Sequence, residues 1–145
     1  MFVVNVEGAI YNDGKWLLIL RSKKEEHAGG TLSLVGGKVD QEGNSTDILE
    51  RTLKREIYEE VGVEVTDLVY VNSTTFVTDY GAHVVDIVFL CKHLSGEAFA
   101  KSMDEVDDVY WLTTDEIIED TNLPSYVRNS IRLADKVRIK QTDSA

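Results

Sequence analysis

The sequence predicts an α/β domain, a mostly β sheet flanked by helices, and three observations carry that reading. Runs rich in Val, Ile, Leu, Phe and Tyr fill residues 2–21 and much of 63–94, and branched or aromatic side chains of this kind suit strands. One stretch, Asp47 to Val61, switches to a helical period and stops at Gly62. Two further helix starts follow late in the chain, at Thr113 or Thr114 and at Pro124. A chain of 145 residues suits one domain. We assign that domain to residues 1–140 and expect 141–145 to fray.

Each element has a local cause. Phe2 to Tyr11 and Lys15 to Arg21 are apolar runs separated by Asn12-Asp13-Gly14, residues that tolerate positive φ and mark a hairpin. Ser22 to Gly30 is polar and reads as a loop, and Thr31 to Val35 as a short strand running into Gly36-Gly37. Ser45 or Thr46 is the expected N-cap of the first helix and Gly62 its C-terminal stop. Val63 to Val71 and Phe76 to Leu94 read as strands, with a turn near Asp79-Tyr80-Gly81. Val109 to Leu112 is a short strand, a helix then reaches Glu119, and the last helix runs from Pro124 to about Lys136. The tail after Ile139 is expected to be frayed.

Charge and composition exclude several functions. The 15 Lys and Arg against 26 Asp and Glu leave a net charge of −11. Such a surface repels a bare phosphate backbone, so a nucleic-acid polymer is excluded as the main partner. A small phosphorylated ligand stays compatible if a metal cation stands between it and the protein. Cys91 is the one cysteine, which rules out an internal disulfide and suits a reducing cytoplasm. The N-terminal run lacks a basic n-region and soon meets Glu7, Asn12 and Asp13, so it does not read as a signal peptide. No apolar run reaches the roughly 18 residues that span a bilayer.

The chemistry is concentrated on the first helix. Projected at ~100° per residue from Ile48, the apolar positions Ile48, Leu49, Leu53, Ile57 and Val61 form one arc. Glu56 at roughly 80° and Glu60 at roughly 120° fall inside that arc, and Glu59 near 20° lies at its border. Carboxylates one turn apart repel each other, and burying them costs several kcal/mol unless something compensates. Protonation or basic partners would serve one or two of them, whereas a divalent cation serves all three. Hard Mg2+ or Mn2+ prefers such oxygen ligands. Solvated glutamates on a bent helix are the alternative.

From Arg55 onward, Arg55-Glu56-Ile57-Tyr58-Glu59-Glu60-Val61-Gly62-Val63 resembles the second half of the Nudix box, the signature of the Nudix hydrolases. Gly36-Gly37-Lys38-Val39-Asp40 is similar to that family's glycine-pair segment, and Trp111 to Glu116 to its late strand-to-helix passage. The first half of the box departs from the pattern. Asp47 stands in the position of a Glu, nine residues rather than five separate it from Gly37, and Val35 replaces a proline. Gln41 to Thr46 thus reads as a lengthened loop.

The resemblance implies an α/β/α sandwich with a mixed β-sheet and Mg2+-dependent hydrolysis, with Mn2+ as substitute. The bond cleaved would be the diphosphate of a nucleoside diphosphate linked to another moiety: a nucleoside triphosphate, ADP-ribose or nucleotide sugar, or a dinucleoside polyphosphate. On this reading Glu59 and Glu60 are metal ligands, Glu56 is a third ligand or the base, and Arg55 orients Glu59 or another box glutamate. The Gly36-Gly37 backbone would pass close to metal and phosphate, and Lys38 is a candidate phosphate contact. Glu105, within Met103-Asp104-Glu105-Val106, is the candidate acid from a later loop, with a merely solvated acidic run as the alternative. Tyr80 is a candidate substrate contact, since some relatives that cleave dinucleoside polyphosphates carry a tyrosine at that spacing. Dimers are common in the family, and the sequence leaves a homodimer open. The rival reading is a domain of the same fold that binds a nucleotide or protein without cleaving it. An isoprenoid-diphosphate isomerase would want a reactive cysteine, and Cys91 within a strand is badly placed for that.

Other signals fall away. Gly37-Lys38 is not a Walker phosphate loop, because Val39 replaces Ser or Thr and Leu32 stands where its first Gly belongs. His27, His83 and His93 lack zinc-ligand spacing and read as surface or sheet packing. Cys91 reads as a buried small hydrophobe, and Trp16 and Trp111 as core residues. Phe76 and Tyr80 are candidates to stack on a base.

Overall fold

The computed structural model describes residues 1–25 and 29–144. The packing expected for His27 lies outside the described residues. β1 (Phe2–Asn12) and β2 (Lys15–Arg21) form the expected hairpin. Asp13 and Gly14 take φ of 49° and 80° at its turn, both left-handed, which matches the right-handed twist of the strands.

The strand expected over 31–35 is in fact two, β3 (Leu32–Ser33) and β4 (Val35–Lys38). Gly36 and Gly37 lie within β4, paired antiparallel with Glu7 and Val6 of β1. A Cβ at Gly36 would overlap the Val6 carbonyl oxygen, so glycine lets the two backbones close together.

Helix α1 (Ile48–Val61) starts at Asp47, not at Ser45 or Thr46. Asp47 has a left-handed φ of 53° and makes no side-chain cap bond. Arg51 instead secures the lengthened loop, reaching Glu42 at 2.7 Å and the Thr46 carbonyl at 2.9 Å. Gly62 ends the helix as expected, at φ 73°.

The next hairpin joins β5 (Glu64–Val77) to β6 (His83–Ser95). Phe76 therefore belongs to the strand before the turn, and residues 72–75 continue it. Register shifts between Glu64 and Val65, Thr66 and Val69, and Tyr70 and Asn72 let β5 carry its polar residues without breaking. β7 (Val106–Leu112) begins earlier than expected because Val106 already pairs with Arg21.

Thr113 caps α2 (Thr114–Glu119) in a reciprocal capping box with Glu116. α3 (Ser125–Ser144) continues past Lys136, and residues 140–144 are helical where fraying was expected. Its later turns have partners: Arg138 pairs with Asp135 at 2.8 Å and lies over the Tyr11 ring at 4.5 Å.

The sheet runs β3-β2-β1-β6-β5, with β4 on β1 and β7 on β2. It is mixed, since β1 and β6 are parallel and the other pairs antiparallel. Alternation along β1 and β2 feeds two cores. Val6, Ile10, Leu17 and Ile19 pack with Leu53, Ile57 and Val61 of α1 on one face. Ala9, Trp16 and Leu18 pack with Ile117 of α2 and Val127 and Ile131 of α3 on the other. The result is the α/β/α sandwich. Each buried Leu or Ile contributes roughly 1.5–3 kcal/mol by leaving water, so α1 is held firmly by its apolar arc.

Trp16 is fully buried and donates its indole N–H to Thr114 Oγ1 at 2.8 Å, while Trp111 packs half-buried on the α1 side. Cys91 is buried, and burial pushes its thiol up to about 12, which makes it inert at neutral pH. His83 packs edge-on against Phe2, and His93 bonds the Gly96 carbonyl at 2.6 Å. Among the described residues no helix is long and apolar enough to cross a membrane.

Candidate active site

Burying one face of α1 forces Glu56 and Glu60 toward the protein, because they share the arc of Leu53 and Ile57. Glu60 is 4% exposed, and its Oε2 has no hydrogen-bond partner. Glu56 is half-buried, and its carboxylate lies on Gly37, where any Cβ would overlap it. The glycine pair thus makes room for a carboxylate from the facing helix.

Glu105 arrives by a different route. The last turn of α1 leaves carbonyls without helical partners. The 96–105 loop supplies them: Phe99 N–H donates to the Val61 carbonyl at 3.1 Å, and Lys101 and Ser102 donate to that of Glu60 at 3.0 and 3.2 Å. Lys101 also sits over the Tyr58 ring at 3.7 Å. At the loop's far end the Ser22 N–H donates to the Glu105 carbonyl at 2.9 Å. Helix capping on one side and strand pairing on the other bring Glu105 under Glu60.

Glu56, Glu60 and Glu105 each offer an oxygen, and these atoms lie within 4.8 Å of one another. Glu56 and Glu60 hold their protons more tightly than ordinary carboxyls. Burial, then the charges of Glu105 and Glu56, push the Glu60 carboxyl up to about 9. Burial also raises Glu56, with Glu59 and Glu105 adding to the shift and Arg55 opposing it. A buried acid without a partner, beside two other carboxylates, suits a hard divalent cation.

Glu59 lies outside this cluster. It is exposed, because its position on the helix falls at the border of the buried arc, and Arg55 holds it at 3.3 Å. Arg55 also reaches Glu56 at 3.2 Å. Burial alone would lower the pKa of the Arg55 guanidinium, but the Glu56 and Glu59 charges outweigh it and raise it.

The carboxylates line a pocket of about 330 Å³ with Gly36, Gly37, Lys38, Arg21 and Glu25. A second cavity of about 520 Å³ adjoins it, and Asn5, Glu7, Arg21 and Lys38 line both. Phe76, Tyr80 and Tyr126 line this larger space, so both stacking candidates face the cavity that adjoins the carboxylate pocket. Asp47 is exposed and lines neither pocket.

Four charged lining residues escaped the reading of the sequence: Glu7, Arg21, Glu25 and Asp86. Glu7 and Asp86 had a signal, since each interrupts an apolar strand at a position whose neighbours two residues away face the interior. Arg21 and Glu25 carried none, being charges at the end of a strand and in a polar loop.

Several known proteins resemble this chain in sequence or fold. A peroxisomal coenzyme A diphosphatase, ndx-8, of Caenorhabditis elegans is 31% identical over 124 residues, covering 81% of this chain and 51% of that protein. An NAD-capped RNA hydrolase, NudC, of Pseudomonas aeruginosa is 28% identical over 99 residues, covering 68% of this chain and 33% of that one. The chain thus spans about half or less of these relatives' length. The crystal structure of a MutT NUDIX hydrolase from Burkholderia pseudomallei superposes with a TM-score of 0.78 at 28% identity, covering 92% of this chain and 98% of that one. A family model described as the NUDIX domain matches residues 1–133, and with it the chain belongs to the Nudix family.

Proposed function

We propose that the protein is a Mg2+-dependent pyrophosphohydrolase, with Mn2+ as substitute, acting on a nucleoside diphosphate linked to another moiety. The observation that carries this reading is the buried, unpartnered Glu60 oxygen facing Glu56 and Glu105. Glu56, Glu60 and Glu105 would hold the cation, which when bound supplies charge neutralisation and a more acidic water. Gly36 and Gly37 line the same pocket, and Gly37 leaves the space that the Glu56 carboxylate fills. Lys38 and Arg21, which line both spaces, are placed to balance charge on a diphosphate lying across them. Arg55 fixes the orientation of Glu56 and Glu59 through paired contacts.

In the reaction, water adds to one phosphorus, the bridging P–O bond breaks, and the leaving phosphate takes the electron pair. The products are a nucleoside monophosphate and a phosphorylated remainder. Substrates joined through a diphosphate, among them nucleoside triphosphates, ADP-ribose, nucleotide sugars and dinucleoside polyphosphates, are the candidates for the paired cavities. Relatives named for coenzyme A and for NAD-capped RNA support diphosphate chemistry and leave the substrate of this chain to assay. The one cysteine is the basis for a cytoplasmic setting, and a homodimer is tested by sedimentation.

The experiment is Mg2+-dependent product release across that panel, comparing wild type with Glu60→Gln. Release by wild type and its loss in the variant supports hydrolysis. Equal release by both overturns it, and nucleotide binding without any release points to the non-catalytic alternative.

A further inference from the structure

The larger cavity has a floor that cation-assisted hydrolysis does not use. Asn5 and Glu7 of β1 and Asp86 of β6 project into it from neighbouring parallel strands, Asn5 being the register partner of Asp86. Glu7 is 9% exposed and Asp86 5%. The Asn5 amide donates to Asp86 Oδ1 at 2.8 Å. Burial chiefly, then the neighbouring Asp86 carboxyl, raises Glu7 well above the usual carboxylate range, with Arg21 opposing. A carboxyl that keeps its proton beside a carboxylate donates it to that neighbour.

The inventory of this floor is lopsided. Two carboxyl groups present four oxygens, of which the shared proton and the Asn5 amide occupy part. What remains accepts hydrogen bonds. The pair also repels phosphate, so a bound nucleotide turns its diphosphate toward Lys38 and the cation pocket and its uncharged end toward Glu7 and Asp86. Aromatic side chains of Phe76, Tyr80 and Tyr126 line the same space and suit a flat ring. A volume of about 520 Å³ accommodates one.

We propose that Glu7 and Asp86 select nucleobases bearing an exocyclic amino group, as in cytosine or adenine, over bases that present a carbonyl there, as in uracil or hypoxanthine. An amino N–H fills an acceptor on the floor, whereas a carbonyl oxygen faces oxygen and leaves the floor unpaired. The inference rests on the proposed nucleotide substrate and names the part of it that this site reads.

The test uses pairs that differ at that group, cytidine against uridine and adenosine against inosine. Binding to the full chain is followed by NMR titration without Mg2+, so that neither phosphate nor cation enters. The amino member of each pair is expected to bind about tenfold tighter or more, because the alternative buries unsatisfied acceptors. Asp86→Asn and Glu7→Gln, checked for folding by circular dichroism, should erase the preference by adding donors to the floor. Equal binding within each wild-type pair overturns the inference, as does a preference that persists in both folded variants. Hydrolysis with Mg2+ is scored separately: absence of product with an intact amino preference overturns the proposed reaction and leaves this site standing.

Discussion

The carboxylate of Glu56 rests on the backbone of Gly37, occupying the space that a Cβ there would need. Gly37→Ala must therefore push Glu56 away from Glu60 and Glu105. Misplacement of about 1 Å at a reacting centre costs on the order of 10²-fold in rate, and that loss in kcat is the expected outcome. Far-ultraviolet circular dichroism should stay unchanged. Full activity in Gly37→Ala would show that the position of Glu56 does not matter.

Glu59 and Glu60 are adjacent in sequence but differ in place. Glu60 is buried among carboxylates, and Glu59 is exposed and tied to Arg55. Glu60→Gln should weaken Mn2+ binding at least about tenfold, since even residues that merely support ligands cost that much. Glu59→Gln should cost clearly less. Paramagnetic resonance titration of Mn2+ ranks them, and the reverse order would put Glu59, not Glu60, at the cation.

The acidity of Glu60 predicts how stability depends on pH. Its folded value of about 9 lies above the ordinary 4.5, so between those values the unfolded chain gives up a proton that the folded chain keeps. Stability from this group is complete below 4.5 and is lost as pH rises toward 9. Glu7 and Glu56 shift in the same direction. Glu42, held low by its bond to Arg51, and Glu116, held low by the Thr113 backbone, act oppositely and lose stability as pH falls. Metal-free wild type should thus lose melting temperature on the alkaline side more steeply than Glu60→Gln. Added Mg2+ should raise it more at high pH, where the carboxyl ionises for the metal. Calorimetry with chelator and with Mg2+ reads both slopes; parallel slopes in wild type and variant would remove Glu60 as their source.

What could be read from the chain alone follows from how far each signal reaches. The α1 stripe is local: Leu53, Ile57 and Val61 recur at helical spacing, so the inward position of Glu56 and Glu60 could be projected before any fold was known. The Asn12-Asp13-Gly14 turn is equally local. Glu105 depends on a loop that connects β6 to β7, caps the far end of α1 and meets Ser22 just after β2, so only resemblance pointed to it. Glu7 and Asp86 meet because β1 and β6 are parallel neighbours, a pairing that no local pattern encodes. The extra turns of α3 depend on Arg138 finding Tyr11 from another element. Propensity gave no reason to extend the helix that far.

The departure in the first half of the box makes a final prediction. Asp47 stands where the family pattern has a glutamate, yet it is exposed, lines neither pocket and holds a left-handed φ of 53° without capping the helix. Its side chain offers the site nothing, and its backbone conformation is one that glycine adopts at no steric cost. Relief of that cost competes with the greater freedom glycine gives the unfolded chain, which usually costs about 0.5–1 kcal/mol. The two nearly cancel, so Asp47→Gly should leave stability within about 0.5 kcal/mol of wild type. Asp47→Val, with a branched side chain at positive φ, should lose about 1–2 kcal/mol. Both variants should keep wild-type kcat and Mn2+ affinity. Urea unfolding with parallel kinetics checks the pair, and a large drop in kcat for the folded Asp47→Gly protein would return this residue to the site.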